Sequence, residues 1–210
     1  MRNGLMRWLR PTVVVVALLA MAAPARAETA SANASEWIAD LGNRVVAILK
    51  DQQATPERRQ KFRALIDERF AMPAIAQFVA GRYWRTASET DRQQFIVAFT
   101  DYMVDFYTVR FVDYGNQTLK ILGQRTGEGI VTVASQVINP NGVPGVQLDW
   151  RVGQTPEGFK IVDVAIGGVS LAITKRDEFA AVIQRNSGKI AALTAELDRR
   201  AGTGARLTIN

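Results

Sequence analysis

The chain holds few residue types suited to chemistry. Among its 210 residues there is no histidine and no cysteine. That removes the commonest general base, the commonest metal ligand and every nucleophile arrangement that depends on either. Neither a G-x-x-x-x-G-K-[ST] loop nor a G-x-G-x-x-G turn occurs, so nucleotide hydrolysis and dinucleotide redox work are not expected, and no cofactor or metal is implied. What remains for acid–base work is a carboxylate beside a phenol. Asp149 or Asp163 with Tyr102 or Tyr107 could act on an apolar substrate in a small cone-shaped enzyme, similar to an isomerase or dehydratase. Asp149 alternates with apolar neighbours and points away from the core face, which leaves Asp163 as the better candidate.

The other conspicuous pattern is aromatic. Ser88 with Asp91 makes a capping pattern for the longest expected helix, which runs to about Asp113. It carries Phe95, Phe99, Met103, Phe106 and Tyr107 on one stripe, with Tyr102 and Phe111 beside them. Such rings either fill a core against a sheet, as in an interaction module with a solid interior, or line a cavity for something apolar with a pliable Met among them. The periodicity fits both.

These residues need elements to hold them. Residues 1–27 stand apart: Arg2, Arg7 and Arg10 precede an apolar run from Val13 to Ala23, and Ala25-Arg26-Ala27 is a small-x-small cleavage site. That is a cleaved secretory signal, too short to span a bilayer, and the mature chain is expected to start at Glu28. Four of the 26 basic residues lie in this leader and none of the 20 acids does, leaving 22 against 20. The net charge drops from +6 to +2, and the argument for a nucleic-acid partner lapses with it. Residues 28–202 form one domain, held by its core because no disulfide can form, and 203–210 is a loose tail.

Within that domain the first half reads as helical. Asn33 with Glu36 opens one helix, Thr55-Pro56 a second, and a third after Met72-Pro73 puts Ile75, Phe78 and Val79 inward and ends near Gly81. Strands follow over Thr118 to Arg125 and Ile130 to Ile138. Val146, Leu148, Trp150 and Val152 then alternate with Gln147, Asp149 and Arg151, a half-buried strand. A Pro-Glu-Gly turn leads to Phe159–Ile166, and Thr174 with Asp177 reads as the cap of a helix near Lys175–Gln184. A last helix spans Lys189–Arg199. The fold class is α+β: a curved four-stranded antiparallel sheet against several helices, with more amphipathic helices than a flat sheet needs, so that an apolar cavity is enclosed.

Three segments carry a resemblance: Phe78-Val79-Ala80-Gly81-Arg82-Tyr83-Trp84-Arg85, Tyr114-Gly115-Asn116, and Asp163-Val164 through Gly168-Val169-Ser170-Leu171 to Arg176-Asp177-Glu178-Phe179. In order and spacing they resemble the MlaC family, periplasmic phospholipid-binding proteins of the toluene-tolerance group. A hopanoid-associated branch of that group shares much of the pattern and would change the lipid. The resemblance implies a periplasmic carrier that enfolds acyl chains. It would shuttle phospholipid between an outer-membrane lipoprotein complex and an inner-membrane ABC transporter complex with its substrate-capturing subunit. On this reading the lining comprises Phe99, Met103, Phe106 and Tyr107 from the long helix. Val131, Val133, Leu148, Trp150, Val152, Val169 and Leu171 join it from the sheet side. Arg82, Arg85 and Arg110 lie at the mouth, where a guanidinium could pair with a lipid phosphate.

Overall fold

The computed structural model describes residues 25–50, 56–110 and 116–201, with side chains from 34–50, 56–108 and 116–201. The proposed leader up to residue 24 and the tail after residue 202 lie outside the described residues, as do Thr55, Phe111, Tyr114 and Gly115. Among the described residues six α-helices and five strands follow one another as α1 (Ala25–Leu49), α2 (Pro56–Arg69), α3 (Met72–Ala80), a 3-10 turn (Gly81–Thr86), α4 (Glu89–Arg110), β1 (Thr118–Gly127), β2 (Ile130–Ile138), β3 (Pro144–Thr155), β4 (Gly158–Ile166), β5 (Val169–Ser170), α5 (Leu171–Arg185) and α6 (Ile190–Ala201).

The sheet is a meander in the order β1-β2-β3-β4-β5, antiparallel throughout. The expected four strands gain a fifth, a two-residue return. Gly167 and Gly168, at φ +57° and +84°, turn the chain so tightly that Val169 pairs with Ile166. Register shifts after Ile121 and after Arg151 mark bulges, which bend and twist a sheet.

Helix starts correct two expectations. Asn33 lies inside α1, which begins at Ala25, so the proposed mature start at Glu28 falls three residues inside this helix. Thr174 is also interior. The cap of α5 is Ser170, whose hydroxyl accepts from the Ile173 N–H at 3.1 Å, while Thr174 donates back to the Ser170 carbonyl at 2.9 Å. By contrast, Ser88 caps α4 as expected, accepting from the Asp91 N–H at 3.1 Å.

The apolar side chains collect in two cores. One lies among the helices, where Phe95, Phe99 and Tyr102 of α4 meet Phe179 of α5 edge to face, over Val79, Leu193 and Leu197. The other lies between α1 and the sheet, with Ile38, Leu41 and Leu65 against Val131, Val133, Val152 and Ile161. Half-buried Val45, Ile48 and Phe70 touch both. Gly42 lets α1 approach β1 closely, since a Cβ there would stand 2.9 Å from Leu119 Cδ2.

Helix-to-sheet placement is fixed by backbone and charge. Phe70 forms a parallel bridge to Ile161, and the Ala71 N–H donates to the Ile161 carbonyl at 2.9 Å. Lys160 Nζ donates to the Glu68 carbonyl at the end of α2, where a cation suits the helix dipole. Buried Arg69 donates to Asp40 of α1 at 2.5 Å and lies over the Trp37 ring at 4.6 Å. Arg59 and Arg63 of α2 hold Asp101 of α4, and Arg59 also holds Asp105.

Candidate functional site

Strand register decides which residues form the inner face. Val131, Val152 and Ile161 stand side by side; the next row is Val133, Trp150 and Val164, and the next Ser135, Leu148 and Ile166. Burial falls along these rows. The first is closed under α1 and α2; in the second Val133 is buried while Trp150 and Val164 are half-buried; in the third Ser135 is still buried, Leu148 is half-buried and Ile166 is 38% exposed, so the face opens on its β3–β4 side. Val146 beyond it is 40% exposed. The sheet therefore presents an apolar face that is covered at one end and open at the other. Inward side chains that keep accessible surface border space, and here that space is bounded by hydrocarbon.

One polar group interrupts this face, and it is satisfied. Trp150 Nε1 donates to Ser135 Oγ at 2.8 Å, and Ser135 in turn donates to the Leu148 carbonyl at 3.3 Å. The indole thus has its N–H paired, leaving its ring to meet apolar matter. Ser135 carries no signal in the sequence pattern that marks it for this role. Ile161 and Val164 were also missed, because β4 is apolar on both faces and the bulge between them breaks the alternation that would have shown which side they take.

The expected lining is not brought together as one surface. Val131, Val133 and Val152 are buried in the sheet-side core, with Trp150 against it. Phe99 is buried in the helical core, with Met103 at its edge. Phe106 and Tyr107 are half-buried at the C-terminal end of α4, their rings 5.2 Å apart. Leu171 opens α5 half-buried, and Val169 is 61% exposed at the rim. Phe78, expected inward, is exposed, because Val79 and Ala76 take the buried side of α3. A concavity of about 570 Å³ lies elsewhere: an open groove between α4 and α6 lined by Gln93, Val97, Ala191 and Ala195.

Of the three arginines, Arg82 and Arg85 lie exposed on the 3-10 turn. Arg82 sits 4.9 Å over the Tyr83 ring and donates to its hydroxyl at 2.8 Å. Arg110 ends α4, and its side chain lies outside the described residues.

The acid–base alternative fares differently. Asp163 is buried and fully employed in structure: one carboxylate oxygen accepts from the Ala172 N–H at 3.0 Å, the other from the Ser170 hydroxyl at 2.6 Å. It faces Arg151 across the strands, on the side opposite the inner face. Burial pushes the Tyr102 phenol up to about 12, against the pull of Arg200. Asp163 is thus committed to the start of α5, and Tyr102 lies in the helical core.

The chain is similar to a phospholipid-binding protein from Ralstonia solanacearum, solved at 1.53 Å in complex with a phospholipid. The two share 30% sequence identity and a TM-score of 0.70, over 82% of this chain and 99% of that one. The family model described as MlaC protein matches residues 39–199, and the chain belongs to the MlaC family.

Proposed function

We propose that this protein is a periplasmic carrier that binds phospholipid by its acyl chains, against the open part of the inner sheet face. The observation that carries the reading is the gradient along β3 and β4 from buried Val152 to exposed Ile166 and Val146, on a face whose one polar side chain, Ser135, is hydrogen-bonded. The phospholipid held by the Ralstonia protein supports it. A diacyl lipid exposes on the order of thirty methylenes, and at about 0.8 kcal/mol each their transfer to water costs roughly 25 kcal/mol. The half-covered apolar face offsets part of that cost, and on this reading the rest comes from the two cores parting along Val45, Ile48 and Phe70, which touch both, to receive the tails.

Within this reading, Leu148, Trp150 and Val164 meet the tails, and Met103, Phe106 and Tyr107 cover them from α4. The protein shuttles lipid between an outer-membrane lipoprotein complex and an inner-membrane ABC transporter complex with its substrate-capturing subunit. No helix among the described residues is long and apolar enough to cross a membrane, as a diffusing carrier requires. Because the chain has no nucleotide-binding loop, lipid release is driven by a partner or a downhill gradient. Solvent extraction of protein purified from its own periplasm, followed by mass spectrometry, tests the ligand. A stoichiometric diacyl phospholipid is expected, and a lipid-free protein that takes none up from detergent-solubilised phospholipid contradicts it.

A further inference from the structure

The open end of the sheet face does not stop at β4. Ile166 pairs with exposed Val169, and four residues on, in the first turn of α5, Ile173 is 50% exposed. One turn further, Arg176 lies with its guanidinium 5.1 Å over the ring of Phe78, itself 42% exposed, and its Nε would stand 3.2 Å from a Cβ on Gly81. Arg82 is the next residue. Apolar side chains and cations thus share one rim beside the proposed lipid site. The charge there is unbalanced: Arg82, Arg85 and Arg176 make no ion pair with a described carboxylate, while on α5 Lys175 takes Glu178 at 2.6 Å and leaves only Asp177.

We infer that this rim docks on an anionic lipid bilayer, with Ile173, Val169 and Phe78 entering the headgroup region and Arg82 and Arg176 pairing with lipid phosphates. Exposed aliphatic and aromatic groups ringed by arginine suit that interface, where apolar burial and attraction to anionic lipid add. The role given to the rim rests on the lipid-carrier reading, because docking there would bring the open sheet face to the bilayer from which a lipid must come.

Flotation with vesicles of phosphatidylcholine alone, and of phosphatidylcholine mixed with phosphatidylglycerol, tests it at low salt. The protein should float with the mixed vesicles and not with the neutral ones. Arg82→Gln with Arg176→Gln should weaken that partitioning about thirtyfold, at about a factor of five or six for each cation near the surface. Ile173→Ser, at an exposed position, should weaken it with the circular dichroism spectrum unchanged. Equal flotation with both vesicles, none with either, or variants that bind as well as the parent would each overturn the proposal; in the second case the rim serves a protein partner instead. Lipid content measured on the same preparations separates the two readings. An Ile173→Ser protein that loses vesicle binding but keeps its lipid supports the docking rim, and a parent protein that floats yet carries no lipid counts against the carrier alone.

Discussion

Asp163 offers the sharpest test of how the fold is held. Replacing it by Ala removes the acceptor for the buried Ala172 N–H and for the Ser170 hydroxyl, the residue that caps α5. Hydrogen bonds to a charged acceptor contribute about 1.5–3 kcal/mol each, and a stranded buried donor adds to the loss. The distant Arg151, at 3.8 Å and half in solvent, contributes little. The expected cost of Asp163→Ala is therefore about 3–6 kcal/mol, or roughly 6–24 °C in Tm for a domain of this size. Asp163→Asn keeps the oxygen that faces Ala172 and should cost about 1–2 kcal/mol. Urea unfolding of Asp163→Ala, Ser170→Ala and the double variant should also give a coupling of at least about 1 kcal/mol, since one network holds both side chains. An Ala variant within about 0.5 kcal/mol of the parent would refute the claim that this carboxylate is the anchor of α5.

Other consequences can be checked separately. Leu148→Asp sets a carboxylate on the half-open face where it remains hydrated in the lipid-free fold, so stability should change little, while lipid retention should fall at least about a hundredfold from the cost of desolvating a charge against hydrocarbon. A folded Leu148→Asp protein with unchanged lipid removes this row from the site. Gly42→Val forces α1 off Leu119 and should cost about 2 kcal/mol in urea unfolding, although Val is a better helix former than Gly. Tyr102, raised by burial from 10 to about 12, binds its proton more tightly folded than unfolded. Its contribution is fully present below pH 10 and lost between pH 10 and 12, so alkaline unfolding should steepen in that window and Tyr102→Phe should flatten it.

The strands were legible because their chemistry is local. Val146, Leu148, Trp150 and Val152 alternate, and the Gly- and Pro-bearing turns separate the runs, so β1, β2 and β4 lie within two residues of the expected bounds while β3 starts two residues earlier and runs three further. The cap of α5 was not legible. Thr174-x-x-Asp177 fits a capping pattern as well as Ser170 does, and the choice falls to Ser170 because Asp163, brought alongside by β4, also takes an N–H of the first turn. Phe78 shows a similar limit: a helical stripe admits either neighbour to the core, and Val79 fills the space against α5 while Phe78 stacks on Arg176 outside. The division of the expected lining into two cores was equally hidden, since alternation and helical period tell which face of an element is apolar and not which other face it meets.

The central claim is that the half-open apolar face of the sheet holds lipid tails. Native mass spectrometry of protein taken from its own periplasm measures this most directly, because it reports ligand mass and subunit count together. A mass increment equal to one diacyl phospholipid per chain, lost in Leu148→Asp, is what the account predicts. A bare polypeptide mass for a folded parent protein, unchanged after incubation with phospholipid, would contradict it.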